Sequence, residues 1–392
     1  MHFLTAGESH GKGLLGIIEG IPAGLEISED YIAYQLARRQ RGSGRGKRMK
    51  IEKDRAEIYC GVRHGKTLGS PIGLILPNKD WANWKRKMSP EPVEREIVRV
   101  TLPRPGHADL AGLHKFDFDD IRDVLERASA RETAMRVALA STCRKLLKEV
   151  GIEIGSRVTR IHATGSRVTR IHATKDTSPI PEGISPEALS ELADGSPVRC
   201  LDKKAEEGMI SAIDHARRNG DSVGGTFEII ATGLPYGLGS HSQWDKKIHA
   251  RIAEAIMSVN AFKGVEIGLG FAQAGRFGSE VHDEITHDGT RFQRTSNNAG
   301  GIEGGMTNAQ PIVIRAVMKP IPTLMKPLRS VDIQTKEPKL AYKERTDVCA
   351  VPAASVVAES MLCFVLADAL LEKFGGDSLE QLRGHMQVSA RY

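Results

Sequence analysis

The run VPAASVVAESMLCFVLADALLEKF, Val351 to Phe374, most constrains what this chain can fold into. Apolar residues fall on every side of the helix it would form, so other structure has to surround that helix. Glu359 and Asp368 interrupt the run, which marks a core helix rather than a membrane span. Arg345, Thr346 and Asp347 form a polar triple just before it. A second constraint is the stretch SNNAGGIEGGMTNAQP at 296–311, which has no helical or alternating apolar pattern. Gly300, Gly301, Gly304 and Gly305 allow positive φ or close approach of backbone to a ligand. The alternating IVIRAVM at 312–318 follows and reads as a strand. The stretch is either a long hairpin connection or the wall of a site.

Composition sets the class. With 392 residues, 40% hydrophobic and 27% charged, the chain has the make-up of a soluble protein with a large core. The N-terminus turns polar within five residues, so no secretory signal is expected. Cys60, Cys143, Cys200, Cys349 and Cys363 never fall in C-x-x-C spacing. They read as reduced thiols in a cytoplasmic protein, and zinc is not expected.

The net charge of +6 matters less than where it lies. Arg38, Arg39, Arg41, Arg45, Lys47, Arg48, Lys50 and Lys53 stand against one acid, Glu52, in a run broken by Gly42, Gly44 and Gly46. Three readings remain open: a loop clamping a small polyanion, a nucleic-acid contact, or a solvated surface. Guanidinium forks suit phosphate and carboxylate oxygens. The aromatic platform of a single-strand binder is absent.

In order, His2 to Gly7 predicts a strand, a Gly-rich turn leads to a second, and Ser28 caps a helix opening with Glu29 and Asp30. Residues 80–97, with two tryptophans, read as an exposed connection. His107 follows Arg104 in a proline-stiffened turn, RPGHAD. Asp119 or Asp120 is expected to cap one long helix that closes at Gly151. Arg131 and Glu132 could form a surface pair of little weight. GSRVTRIHAT at 155–164 recurs letter for letter at 165–174 and reads as an alternating strand and its copy, neither His162 nor His172 being catalytic. The region around 155–205 is expected to be peripheral.

Seven blocks in this order, GESHG (7–11), RRQRGSGRGKRMK (38–50), RPGHAD (104–109), ERASARET (126–133), GGIEGGMTNAQP (300–311), MKPIPT (318–323) and RTDVCAVPA (345–353), closely resemble the chorismate synthase family, in its bacterial form. The tandem copy is additional to the family pattern, and ERASARE is a variant of a more Gly/Ser-rich block. The resemblance implies a single α+β domain, a β-α-β sandwich of helices and antiparallel sheets, assembled as a homotetramer in the cytoplasm. It implies a carbon-oxygen lyase of the shikimate pathway of aromatic amino acid biosynthesis. That enzyme converts 5-enolpyruvylshikimate 3-phosphate to chorismate by 1,4-trans elimination of phosphate and the C6 proton, with reduced FMN and no net redox change. Neither nucleic acid nor membrane is then a partner.

By the same resemblance, Arg39, Arg45, Arg48, Arg131 and Arg345 would hold substrate anions. His10 would give a proton to the leaving phosphate, His107 would manage the charge of the reduced flavin ring, and Asp347 would lie beside the flavin N5. The FMN positions would be Arg127, Ala128, Ser129, Asn260, Ala261, Gly304, Lys319, Pro320, Ile321, Pro322, Thr323 and Arg345. The length shows no added reductase segment, so dependence on a separate NADPH-driven flavin reductase is expected.

Overall fold

The structure, a computed structural model, describes residues 1–46, 53–94, 97–162, 175–176, 178–181, 183–342 and 347–389. Two four-stranded antiparallel sheets form its outer layers. In the first, His2–Ala6, Gly13–Glu19, Ile72–Pro77 and Glu57–Cys60 lie side by side in that order. In the second the order is Phe262–Ile267, Ile312–Met318, Gly225–Thr232 and Glu153–Ile161. Between them run Thr133–Glu149, packed on the first sheet, and Val351–Phe374, packed on the second and on Thr133–Glu149. The expected sandwich of helices between antiparallel sheets is the fold.

Alternation builds the layers. Along Gly13–Glu19, Leu14, Gly16 and Ile18 turn inward while Leu15 and Ile17 face out. Gly16 is where the helix meets the sheet: a Cβ there would stand 2.6 Å from the Met135 sulfur. Ile312–Met318, central in the second sheet, buries Ile312, Ile314, Ala316 and Met318 on one face. One hydrophobic cluster runs through both sheets and the helices between them.

Val351–Phe374 is long and apolar enough to cross a membrane, and 83% of its most apolar window is buried inside the protein. At its middle Glu359 is fully buried. Arg38 grips it with Nη1 at 2.9 Å and Nη2 at 3.1 Å, Arg144 Nη2 donates at 2.5 Å and Arg199 Nη2 at 3.1 Å. The hydroxyls of Ser156 and Ser190 donate to the same carboxylate. Asp194 completes the cluster with Arg38 and Arg199. The stretch 155–205, expected at the periphery, thus supplies Ser156, Ser190, Asp194 and Arg199 to the centre.

Three local expectations change. The long helix from Asp119 or Asp120 is broken: Arg122–Leu125 is followed by a 3-10 turn, Ala130–Glu132, and only then by Thr133–Glu149. Ser129 is extended (φ −68°, ψ 144°) and its Oγ accepts from Arg131 N–H, which diverts the backbone from the helix. Gly151 does close the element, at φ 82°. Glu153–Ile161 is buried on both faces instead of alternating, because Pro186–Asp194 packs against it as well. Its second copy at 165–174, His172 included, lies outside the described residues. Arg131 and Glu132 do not form a surface pair: both are buried, Arg131 on Asp54 at 2.6 Å and Glu132 on Arg136 at 2.9 Å.

The stretch 296–311 is spent on its own scaffold. Asn297 Nδ2 donates to Pro311 O at 2.8 Å, and Asn297 Oδ1 accepts from Gly301 N–H at 2.8 Å. Asn298 Nδ2 reaches Val281 O, and Asp283 accepts from the N–H groups of Asn298 and Ala299. Gly300, at φ 65°, sits so close to Gly268 that a Cβ would lie 2.3 Å from Gly268 N. Gly300→Ala is therefore expected to destabilise the protein by about 1–3 kcal/mol, from positive φ and overpacking together. A urea midpoint equal to wild type would refute this.

Candidate active site

A cleft of 1420 Å³ opens at the N-terminal end of Val351–Phe374. Ala350, Ala353, Ala354 and Val357, from the cap and first two turns of that helix, with Val259 and Leu125, give it an apolar floor. Its walls carry nine Lys or Arg residues, Arg39, Arg45, Arg86, Lys87, Arg99, Arg104, Arg122, Arg131 and Lys319, against one carboxylate, Asp347, among the described residues. Such a wall selects anions.

His10 leaves the first sheet on a turn whose main chain is tied down, Ser9 N–H donating to Glu126 O at 3.0 Å. Its own N–H donates to Glu126 Oε2 at 2.9 Å, and its Nδ1 lies 3.0 and 2.9 Å from the two oxygens of that carboxylate. The imidazole stacks on Trp84, ring centroids 3.9 Å apart at 23°. Arg122 Nη1 donates to Glu126 Oε1 at 3.0 Å. Burial alone would raise the Glu126 carboxyl, and the hydrogen bonds and charge of His10, with Arg122, outweigh it and hold it below the ordinary value.

His107 repeats the arrangement. Its Nδ1 lies 2.6 Å from Oδ1 of Asp109, a fully buried carboxylate. Arg104 forks onto Asp109 with Nε at 2.8 Å and Nη2 at 2.9 Å. Burial would raise Asp109, but the bonds from Arg104 and His107 keep it well below the usual carboxylate range. Both cleft histidines are thus backed by buried, ionised carboxylates.

Carboxylates pre-set the arginines, Asp54 from behind the wall and Asp347 on it. Asp54 Oδ1 accepts from Arg131 Nη1 at 2.6 Å, and Asp54 Oδ2 lies 3.8 Å from Arg39 Nη1. Arg39 also donates to Thr133 Oγ1 and Ala130 O. Burial pulls Arg39 down to about 10, which leaves it charged at neutral pH. Arg45 Nη1 pairs with Asp347 Oδ2 at 2.7 Å, and Asp347 Oδ1 accepts from Gly46 N–H at 2.6 Å. Arg38 and Arg39 are both buried, so the start of the basic run is committed inward.

On the far wall, Asn260 Nδ2 donates to Ala128 O at 2.8 Å, and Ala261 turns at φ 68° so that its carbonyl accepts from Lys319 N–H at 2.9 Å. Lys319 Nζ reaches Gly106 O at 2.6 Å. Ser129 Oγ donates to Ser9 Oγ at 3.2 Å.

Against known proteins, the family profile described as chorismate synthase matches residues 1–371. The chain belongs to the chorismate synthase family. The family's members are lyases that act on carbon-oxygen bonds to phosphate. Chorismate synthase from Geobacter sulfurreducens is 55% identical, covering 100% of this chain and 99% of that one. Chorismate synthase from Aquifex aeolicus is 56% identical over 98% of this chain and 96% of its own length. A crystal structure of chorismate synthase aligns with a TM-score of 0.77 at 46% identity, covering 99% of this chain and 97% of that one.

Of the positions expected from the chorismate synthase blocks, His10, His107, Asp347, Arg39, Arg45, Arg131, Ala128, Ser129, Asn260, Ala261, Lys319, Ile321, Pro322 and Thr323 all line this one cleft. Arg48 and Arg345 lie outside the described residues. Arg127 does not line it; the guanidinium staples the first strand through Thr5 O and Gly7 O. Pro320 is also outside the lining. Gly304 is at the tip of a hairpin, Ile302–Glu303 with Met306–Asn308, and no residue of 296–311 lines the cleft. Within one chain this stretch is scaffold, with Asn297 and Asn298 bonded to backbone.

Sequence reading missed Trp84, Arg122, Glu126 and Asp109. Residues 80–97 were expected as an exposed connection, yet Asn83, Trp84, Arg86 and Lys87 line the cleft. Asp109 and Glu126 stood inside two of the blocks, each an acid near a histidine or arginine. Only the fold brings Glu126 to His10, 116 positions away.

Proposed function

We propose that this chain converts 5-enolpyruvylshikimate 3-phosphate to chorismate by 1,4-trans elimination of phosphate and the C6 proton, as a step of the shikimate pathway. The observation that carries the reading is a single large cleft in which two carboxylate-backed histidines share a strongly cationic wall and an apolar floor. Its 1420 Å³ exceeds the roughly 300–1,000 Å³ usual for one small ligand and supports two ligands side by side.

Reduced FMN fits the donors present. A flat ring suits the floor of Val259, Ala350 and Ala354, the bent backbone at Asn260 and Ala261 offers main-chain groups, and Lys319 suits a phosphate. Ala128, Ser129, Ile321, Pro322 and Thr323 complete that wall. When bound, the flavin would lend electron density to the allylic system as the C–O bond to phosphate breaks and recover it by the end of the turnover.

The remaining work falls to the chain's own side chains. Arg39, Arg45 and Arg131 are aimed before a ligand arrives and would take the phosphate and carboxylates of the substrate. His10, its Nδ1 held by Glu126, would give a proton from Nε2 to the departing phosphate. His107 would answer charge beside the reduced ring, and Asp347 would help draw the C6 proton away. The electron pair of the C6–H bond forms a double bond to the adjacent ring carbon, the existing ring double bond shifts one position toward the carbon that bears phosphate, and the departing phosphate takes the C–O bonding pair.

Assembly as a cytoplasmic homotetramer accompanies the reading. The exposed Leu4, Leu15 and Ile17 on the outer face of the first sheet support a buried interface there. NADPH would be spent by a separate flavin reductase, and nucleic acid has no part. The test is an anaerobic assay with photoreduced FMN and the enolpyruvyl substrate. Chorismate and phosphate are expected in equal amounts. Flavin binding without chorismate would overturn the assignment.

A further inference from the structure

The arrangement behind His10 carries a role for a residue that takes no part in the elimination itself. Glu126 is 2% exposed and has four contacts at 2.9–3.0 Å: His10 N–H, His10 Nδ1 to each oxygen, and Arg122 Nη1. A carboxylate held below its ordinary pKa is ionised and can only accept. The hydrogen between them therefore sits on Nδ1 of His10, and Nε2 lies on the opposite edge of the ring. Trp84 closes the remaining freedom by stacking on the ring at 3.9 Å. Arg122 and Lys87 both stand 5.2 Å from the Trp84 ring centroid.

We infer that Glu126 is the positioning residue for His10: its buried carboxylate fixes the tautomer and orientation of the imidazole and supports its protonated form when it acts as an acid. The inference rests on the proposed elimination, in which His10 protonates the leaving phosphate. Three charged groups set the local balance. Glu126 favours the imidazolium, while Arg122, paired to Glu126, and Lys87, over Trp84, oppose it. The carboxylate is in direct contact with the ring, and Arg122 Nη1 shares its Oε1 with His10 Nδ1. A neutral amide in its place would keep an acceptor, yet it would also turn an N–H toward either His10 N–H or Arg122.

The experiment uses the full-length protein with FMN bound and compares wild type with Glu126→Gln and Glu126→Asp. The first readout is the ¹⁵N signal of the two His10 ring nitrogens, recorded without turnover. The second is the pH profile of kcat. In Glu126→Gln, kcat is expected to fall roughly 10²-fold with KM changed by less than about threefold. Its alkaline limb is expected to move down by about one pH unit or more. Glu126→Asp, which keeps the charge at longer reach, is expected to restore the limb but only part of the rate. If Glu126→Gln does not fold, Glu126→Asp carries the test through its displaced Nδ1 signal and lowered kcat. Unchanged His10 signals together with an unchanged alkaline limb would reduce Glu126 to a structural residue. Wild-type protein that makes no chorismate would instead sink the proposed reaction, and the nitrogen signals would still report on Glu126.

Discussion

Replacing His107 by alanine is expected to lower kcat by roughly 10²–10⁴ while KM for the enolpyruvyl substrate changes by less than about threefold. In the proposed reaction the ring is not a substrate anchor, because the anions would have the arginine wall. It is also not free to drift. Asp109 takes Nδ1–H at 2.6 Å, and the Arg104 fork prevents Asp109 from turning away. Arg104 Nη2 lies 3.1 Å from His107 Nδ1 only because both donate to the same oxygen. Alanine would remove a group oriented to within a hydrogen-bond length, and a chemical step would feel that more than an encounter would. Steady-state rates with photoreduced FMN, together with a direct titration of flavin binding, separate the two effects. A rise in KM as large as the fall in kcat would make His107 a binding residue.

Glu359→Ala is expected to cost about 3–5 kcal/mol of stability, the range for removing one partner of a buried ion pair. Three guanidiniums, Arg38, Arg144 and Arg199, would be left around an empty carboxylate site with Asp194 the one acid paired to them among the described residues. The loss is expected to appear as a lower urea midpoint at neutral pH. The same carboxylate gives a pH dependence with a definite sign. Burial alone would raise Glu359, and the charges of Arg38, Arg144 and Arg199 reverse this and hold it far below the ordinary carboxyl range. A depressed acid contributes stability that is complete above its unfolded pKa and is lost as pH falls toward the folded one. Wild type should therefore lose stability steadily below about pH 4.5, and Glu359→Gln, already lacking the charge, should lose less over that interval. Parallel stability curves for the two proteins in acid would count against this role for Glu359.

Much of the fold was legible where a single period dominates. The alternation in Gly13–Glu19 and Ile312–Met318, the Ser28 cap and the apolar run at Val351–Phe374 each point to their element without help. What failed was continuity. The helical spacing from 121 to 149 looked unbroken, yet Ser129 diverts the backbone through a side-chain bond that periodicity does not register. The buried strand Glu153–Ile161 misled for the opposite reason, since its Ser, Thr and Arg residues are buried against polar partners. At the site, residues of unusual chemistry in short blocks were found, including His10, His107 and the arginines. Residues that act by backing them were not. Glu126 looks like any helical acid until a strand turn 116 positions earlier is laid on it. The glycines and asparagines of 296–311 mark a constrained backbone correctly, but composition does not say whether the constraint serves a ligand or a neighbouring loop.

One helix belongs to both the cleft and the charge cluster. The first two turns of Val351–Phe374 form the floor on which a ring would lie, and Glu359, just beyond them, is the hub of the ionic cluster. Acid, heat or denaturant that loosens the hub reaches the floor along a single rigid rod. Catalytic competence and the global fold should then disappear in one cooperative transition, without an interval in which a folded protein has lost its site. Selection for a better-fitting floor would meet the same coupling, since Ala354 and Val357 line the cleft and also belong to the core between the two sheets.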